Sequence, residues 1–160
     1  MYRRYVALQW VFDLITNPYL LTSVASWFVA QLLKTIINAV INKKISWERM
    51  IGDGGMPSAH SATVTSICIF SALQHGANSY EFAISAILAI IVCHDAMGVR
   101  LETGKQAIIL NEIIEEIAAL AEANFSEVKL KEFVGHTPIQ VAAGILIGII
   151  VALVMFFFVL

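Results

Sequence analysis

Thr137 to Leu160 reads TPIQVAAGILIGIIVALVMFFFVL and contains no charged side chain. A helix needs about 20 mostly apolar residues to cross the hydrocarbon core of a bilayer. This stretch is long enough, and Pro138 stands in the first helical turn, where proline is well tolerated. It therefore predicts a membrane-spanning helix over 137–160.

Three earlier stretches have the same character. The whole chain is 59% hydrophobic and only 14% charged, whereas about 25% of the residues of a soluble domain are charged. At 160 residues the chain is expected to form a single domain, 1–160. These observations predict an all-α fold, an integral membrane helical bundle of about four transmembrane helices, with spans at about 19–41, 57–73, 80–97 and 137–160.

The N-terminal segment predicts a helix of another kind. Residues 1–17 are apolar and carry Arg3, Arg4 and a tryptophan, which favours a helix that lies in the membrane interface. Asp13 and Pro18 interrupt the apolar run, and no small-residue cleavage site follows. We therefore expect the segment to be retained rather than removed as a signal peptide.

Residues 102–132, between spans three and four, combine acidic with apolar side chains. The apolar members recur at a spacing of three and four residues, which is typical of an amphipathic helix: Ile109, Ile113, Ile117 and Leu120. We expect this helix to lie on the surface of the bundle or of the membrane. Pairing with the same helix of a second subunit is the alternative, and it would make the protein a homo-oligomer.

The distribution of charge predicts an orientation. Four spans place the segments 52–60, 95–105 and 129–136 on one face of the membrane and both termini on the other. Most lysines and arginines lie on the first face, so the positive-inside rule predicts that this face is cytoplasmic. With a net charge of −2, the chain has no basic field for nucleic acid, and membrane lipids are its expected surroundings.

The same topology gathers the residues that carry chemistry. On the first face it collects Lys34, Ser58, His60, Asp95, Arg100 and His136. Two cations and two histidines at converging helix ends predict an anion site, because helix N-termini add unpaired N–H groups and a favourable dipole for phosphate. Glycines before span two, including Gly55, allow a tight turn and a close approach to a ligand.

Three motifs in this order resemble a known superfamily. Met56-Pro57-Ser58-Ala59-His60 is similar to the first histidine motif of the phosphatidic acid phosphatase type 2 and vanadium haloperoxidase superfamily. Gly135-His136-Thr137-Pro138 is similar to its final histidine motif. Together with Asp95 to Arg100, these motifs are most similar to a divergent membrane branch of that superfamily.

The resemblance implies a metal-independent phosphohydrolase of the acid-phosphatase type. His136 would attack phosphorus and carry a phosphohistidine, and His60 would protonate the leaving oxygen and then activate water. The implied phosphate-binding residues are Lys34, Ser58, Ala59 and Arg100. The substrate would be a phosphomonoester or diphosphate, with a phosphorylated lipid expected, and neither a cofactor nor a metal is required.

The chain departs from the superfamily pattern at three places. Arg100 is far from His136 in sequence, and Lys34 stands in for a first motif that is not recognisable, a role that Lys44 or Arg49 could take instead. Gln140 occupies the position of an aspartate that orients the nucleophilic histidine. Asp95 either supplies the missing carboxylate or forms an ion pair with Arg100.

Other classes of function stay open at this point. A catalytically silent lipid-phosphate-binding or scaffold protein would keep the pocket but lose turnover with Gln140. A small transporter or channel subunit would use Lys34, His94 and Asp95 near the membrane boundary. His60, His94, Asp95 and His136 have suitable side chains for zinc, but no local ligand spacing supports a metal site.

Overall fold

The computed structural model describes residues 2–43, 55–121, 129–131 and 134–159, and all regular structure within these ranges is helical. The elements are, in chain order, α1 (Tyr2–Ile15), α2 (Pro18–Asn42), α3 (Ala59–His75), α4 (Tyr80–Met97), α5 (Val99–Ala121) and α6 (Pro138–Val154). A π-helical turn, Met155–Val159, continues α6. The prediction of an all-α membrane bundle is confirmed.

The bundle is built around α3. This helix packs most extensively against α6, and then against α4 and α2. α1 packs on α2, and α5 packs on α4, so both lie at the outside of the four-helix arrangement. The predicted N-terminal helix and the predicted helix after span three correspond to α1 and α5.

Within the described part of the chain, three helices are long and apolar enough to cross a membrane: Pro18–Asn42, Tyr80–Leu120 and Pro138–Val159. The second of these combines α4 and α5, which are separated at Gly98. α3 has 17 residues, about 25 Å at 1.5 Å per residue. Tyr19 near the start of α2 contacts His75 at the end of α3, so these two helices run antiparallel along the bundle.

Polar side chains fix where the helices begin. Asn17 accepts hydrogen bonds from the backbone N–H groups of Tyr19 and Leu20 and so caps α2. Ser58 caps α3, and Ser79 caps α4 in the same way. Such caps satisfy N–H groups that have no partner inside their helix.

α5 covers the first part of the predicted segment 102–132. It is described as far as Ala121, residues 122–128 lie outside the described ranges, and residues 129–131 are not helical. The Asn111 side chain donates to the carbonyl of Leu130 and accepts from its N–H, both at 3.0 Å. The Leu130 backbone therefore binds to α5 through a side chain.

Small residues bring α3 and α6 into close contact. A Cβ atom added to Gly144 would lie 2.4 Å from the carbonyl oxygen of Ser58, and one added to Gly148 would lie 2.6 Å from that of Ala62. The same Ala62 oxygen accepts a hydrogen bond from the Ser26 hydroxyl on α2 at 2.9 Å. Packing of small and hydroxyl-bearing residues is characteristic of helix contacts in membranes, where burial of apolar surface gives little driving force.

Candidate active site

Four helix ends meet at one end of the bundle. The backbone N–H of Ser58, before α3, donates to the carbonyl of Gln140 in the first turn of α6 at 3.0 Å. The backbone N–H of His136 donates to the carbonyl of Ala96, in the last turn of α4, at 2.9 Å. These two bonds fix the start of α6 against both neighbours, and His136 lies between them.

Gly135 makes this arrangement sterically feasible. Its φ of +89° lies in the left-handed region that L side chains rarely adopt. A Cβ atom at this position would lie 2.3 Å from the backbone nitrogen of Leu101. A glycine is therefore required where the chain passes over the α4–α5 junction and delivers His136 to the site.

The His136 ring is held by Gln140 through a bond that fixes its tautomer. Nδ1 lies 3.1 Å from Oε1 of Gln140, and the same oxygen accepts the backbone N–H of Thr137 at 3.2 Å. Because a backbone N–H can only donate, the oxygen end of the carboxamide must face this way. Nδ1 must then carry a proton, which leaves the lone pair of the neutral ring on Nε2.

Burial and neighbouring cations lower the pKa of His136 below its ordinary value. Burial is the largest cause, and the positive charges of Lys34 and His60 act in the same direction. Hydrogen bonding to Gln140 and to the backbone of Gly55 opposes the shift. His136 is only 4% exposed, and it is close enough to Lys34 and His60 to feel their charge.

One cavity beside His136 contains Lys34. It has a volume of about 270 Å³ and is lined by Lys34, Ile37, Asn38, Ile41, Gly55, Met56 and Gln140. Lys34 is itself buried, at 4% exposure. An added Cβ on Gly55 would lie 3.7 Å from its side chain, which shows how closely the turn before α3 approaches this lysine.

A second cavity contains His60 and Arg100. It has a volume of about 220 Å³ and is lined by His60, Ile91, Val92, Asp95, Ala96 and Arg100. Arg100 Nε donates to the carboxylate of Asp95 at 2.6 Å, and both side chains are nearly half exposed. Of the two roles considered for Asp95, the structure shows the ion pair with Arg100. The partner of His136 Nδ1 is Gln140.

The predicted phosphate-binding residues do not share one cavity. Lys34 and Arg100 line different cavities. Ser58 and Ala59 are buried and line neither of these two cavities; the Ser58 hydroxyl accepts from the N–H and the hydroxyl of Ser61. Lys44 and Arg49 fall outside the described residues.

The four side chains considered as zinc ligands, His60, His94, Asp95 and His136, do not form a cluster. Within the described ranges, no three side chains of histidine, cysteine, aspartate or glutamate come close enough to share a metal ion.

Two contacts were not predicted from the sequence. Gln140 accepts a hydrogen bond from the Thr137 N–H, and Asn111 binds the backbone of Leu130. Thr137-x-x-Gln140 has the spacing of a helix capping box, a signal that would have identified Gln140 as the acceptor for the Thr137 N–H. Asn111 is 5% exposed and lies on the opposite face of α5 from the apolar stripe of Ile109, Ile113 and Ile117. The sequence carries no comparable signal for its contact with Leu130.

Comparison with known proteins agrees with this architecture. The profile of the divergent PAP2 family matches residues 15–151, and the chain therefore belongs to that family. The chain is 40% identical over 156 residues to the uncharacterized membrane protein YuiD of Bacillus subtilis (strain 168), covering 91% of this chain and 98% of that protein. No solved structure matches the chain.

Proposed function

We propose that the protein is a membrane phosphatase that hydrolyses a phosphomonoester or diphosphate, with a lipid as the substrate, through a phosphohistidine intermediate. The observation that carries this proposal is the setting of His136. The ring is buried beside Lys34 and His60, and its Nδ1 is bound to Gln140. A neutral ring in this tautomer presents Nε2, which is the atom that a histidine nucleophile needs.

The proposed reaction has two displacements at phosphorus. In the first, the Nε2–P bond of His136 forms while the bond from phosphorus to the leaving oxygen breaks, and His60 gives that oxygen a proton. In the second, His60 takes a proton from water as the water oxygen attacks phosphorus and the N–P bond breaks. The net change is ester plus water to alcohol plus phosphate, and the two bases need no redox partner.

Positive charge around His136 would stabilise the transferred phosphoryl group. Lys34 is buried beside His136, where a charge acts more strongly than in water. Arg100 lies in the His60 cavity, on the side where the leaving group or water would be handled. Ser58 and Ala59 contribute through the N-terminus of α3, whose dipole favours an anion.

A lipid substrate fits the surroundings of the two cavities. Ile91 and Val92 in the wall of one cavity, and Ile37 and Ile41 in the wall of the other, belong to helices with lipid-facing apolar surface. A substrate tail could stay in the bilayer while its phosphate reaches His136. We further propose that this end of the bundle faces the cytoplasm, as the positive-inside rule predicts.

Phosphate release from a panel of lipid phosphates and diphosphates by the detergent-purified protein tests the proposed function. We expect turnover that His136→Ala and His60→Ala abolish, while Glu112→Ala on the exposed side of α5 leaves it unchanged. Turnover that survives in His136→Ala would show that the nucleophile is a different residue.

The orientation is tested separately. A cysteine placed at Asn78 and one placed at Lys105, each in a chain without Cys68 and Cys93, should react differently with an impermeant thiol reagent. We expect labelling of intact cells at position 78 alone, and the reverse result would invert the orientation.

Gln140 favours a second candidate, a lipid-phosphate-binding protein without turnover. Its carboxamide fixes the tautomer of His136 but has no negative charge to stabilise the ring when it becomes positive. Binding of vanadate or phosphate by the folded protein, without product from any substrate of the panel, would favour this candidate over the phosphatase.

A further inference from the structure

The interior of α2 contains a polar group that the bundle does not satisfy. Gln31 is 5% exposed, and its oxygen Oε1 has no hydrogen-bond partner among the residues that the structure describes. A buried carbonyl oxygen gives up its hydrogen bonds to water and is costly to leave unpaired. An orphan acceptor of this kind points to a ligand that can donate to it.

The position of Gln31 relates it to the Lys34 cavity. Residues three and seven positions further along a helix lie on the same stripe as the first. For Gln31 these are Lys34 and Asn38, which both line the 270 Å³ cavity. Gln31 lies three residues, about 4.5 Å along the helix axis, further into the bundle than Lys34, on the side of α2 from which Lys34 and Asn38 line the cavity.

The ligand has to suit both residues. The ammonium group of Lys34 attracts an anionic oxygen, whereas a carboxamide oxygen repels one and accepts only from an N–H or O–H group. A phosphomonoester that retains one proton offers an anionic oxygen and a P–OH group together. A fully ionised phosphomonoester has no donor for Gln31.

We propose that Gln31 is a binding residue for the substrate phosphate, accepting a hydrogen bond from the P–OH group of its monoanion while Lys34 binds an anionic oxygen. The inference rests on the proposed function and adds to it a preference for the monoanionic form of the phosphate. His136 before α6 lies close to Lys34 and to His60 on α3, and a positive charge on either ring at low pH favours any anion. The specific contribution of Gln31 is therefore the difference in phosphate affinity between the wild type and a variant without the acceptor.

Methylphosphonate is a suitable probe, because it passes from a monoanion with a P–OH group to a dianion, as a phosphomonoester does, and its P–C bond is not hydrolysed. Its affinity would be measured by isothermal titration calorimetry on purified full-length protein across the second ionisation of the probe, for wild type, Gln31→Met and Thr22→Val. Methionine matches the length of glutamine and lacks the acceptor. Thr22 is the matched control, since it is buried on α2 away from the cavity and its hydroxyl donates to the Pro18 carbonyl at 2.7 Å.

We expect Gln31→Met to bind the monoanion about tenfold more weakly than the wild type, the effect of losing one hydrogen bond to a charged ligand. The difference should shrink as the probe loses its last proton, and Thr22→Val should behave like the wild type. Gln31→Met should also unfold at a higher temperature in the absence of ligand, because it removes an orphan polar group. A purely structural role predicts the opposite, a lower unfolding temperature with unchanged affinity.

The outcomes separate this inference from the proposed function. Wild type and Gln31→Met with equal affinity at every pH would overturn the inference alone, as would a loss of affinity that does not depend on pH. A folded wild type that binds no methylphosphonate would overturn the anion site and the inference with it. Gln31→Leu provides the same comparison if the methionine variant does not fold.

Discussion

A single atom, Oε1 of Gln140, accepts hydrogen bonds from both Nδ1 of His136 and the N–H of Thr137. The first bond sets the tautomer of the histidine, and the second caps α6. The proposed chemistry therefore depends on the same contact that starts the last helix. A carboxylate at this position would keep the tautomer and add the negative charge that a developing imidazolium needs.

We therefore expect Gln140→Asp to raise the rate of phosphate release by about tenfold, the difference between a neutral and a charge-assisted hydrogen bond. Gln140→Glu controls for the shorter aspartate chain, and Gln140→Leu should lower the rate because it has no acceptor. Initial rates on the best substrate of the lipid panel would measure the effect. A carboxylate variant that is no faster than the wild type would contradict this view of Gln140.

The lowered pKa of His136 predicts a pH dependence. The folded protein keeps the ring neutral at a pH where the unfolded chain, with an ordinary histidine pKa near 6.5, has begun to take up the proton. Folding stability should therefore fall as pH drops below about 6.5. Lys34→Met removes one cause of the shift, so the pKa of His136 should rise.

Nitrogen-detected NMR of the histidine rings would measure this shift, with Lys105→Met as a surface control, since Lys105 pairs only with the exposed Glu102 in the contacts described. An unchanged His136 pKa in Lys34→Met would mean that the two groups do not interact as the geometry indicates.

At the residue scale, the sequence predicted which side chains lie at the same end of the bundle. It did not predict which of them line the same cavity. Lys34, His60 and His136 come together because the topology brings the second half of α2 to the same end of the bundle as the starts of α3 and α6. Lys34 on α2 and Arg100 on α5 line different cavities. No linear spacing encodes which cavity a side chain lines.

Among the helices, the contact between α3 and α6 depends on two glycines that let the backbones approach. The Cβ of an alanine at Gly148 would lie 2.6 Å from the carbonyl oxygen of Ala62 and 2.8 Å from the side chain of Thr65. One of the helices would have to move to accept it. Since Ser58 and His136 stand at the ends of these helices, the movement would also reach the site.

Gly148→Ala should therefore destabilise the protein by about 1–3 kcal/mol, the usual cost of overpacking a close contact. Thermal unfolding in detergent would report the loss. Leu146→Ala is the control, because Leu146 lies on the same helix but is 59% exposed and faces away from α3. Equal stability of Gly148→Ala and the wild type would show that the α3–α6 contact is looser than these distances indicate.

α5 carries a second contact that matters for the site. Asn111 holds the backbone of Leu130 with two hydrogen bonds, and the chain reaches His136 soon afterwards. Asn111→Leu would remove both bonds and leave two backbone groups unpaired. We expect faster amide hydrogen exchange at Leu130 and a several-fold lower rate of phosphate release, because His136 is then less well positioned.

Gln106→Leu, a substitution at an exposed position of the same helix, should leave the amide exchange of Leu130 and the rate of phosphate release unchanged. Unaltered exchange at Leu130 in Asn111→Leu would contradict the role of this contact.

The elements themselves were largely predictable, because long apolar runs and helix-capping residues act locally. α2, α4 and α6 follow from the run lengths, and Ser79 and Gly98 mark both ends of α4. The placement of Leu130 was not predictable in this way. It depends on a contact between residues nineteen positions apart, in which the Asn111 side chain binds the Leu130 backbone.

The whole molecule is a bundle with lipid-facing apolar sides and its polar chemistry at one end. Exposed isoleucine, leucine and phenylalanine side chains on α2, α4 and α6 suit contact with acyl chains. At the polar end, Lys34 and His136 are buried, and Lys34 lines a cavity beside the isoleucines of α2. This arrangement suits a reaction on the phosphate of a molecule whose tail stays in the membrane.

The most direct test of a phosphohistidine at His136 is mass spectrometry of the protein. The protein is mixed with a lipid phosphate that it hydrolyses and is then rapidly quenched under alkaline conditions, which preserve the N–P bond. We expect a phosphoryl group on His136 of the wild type quenched during turnover, and none in His136→Ala. Phosphate release by the wild type with no phosphoryl group on His136, or with one on another residue, would contradict the central claim.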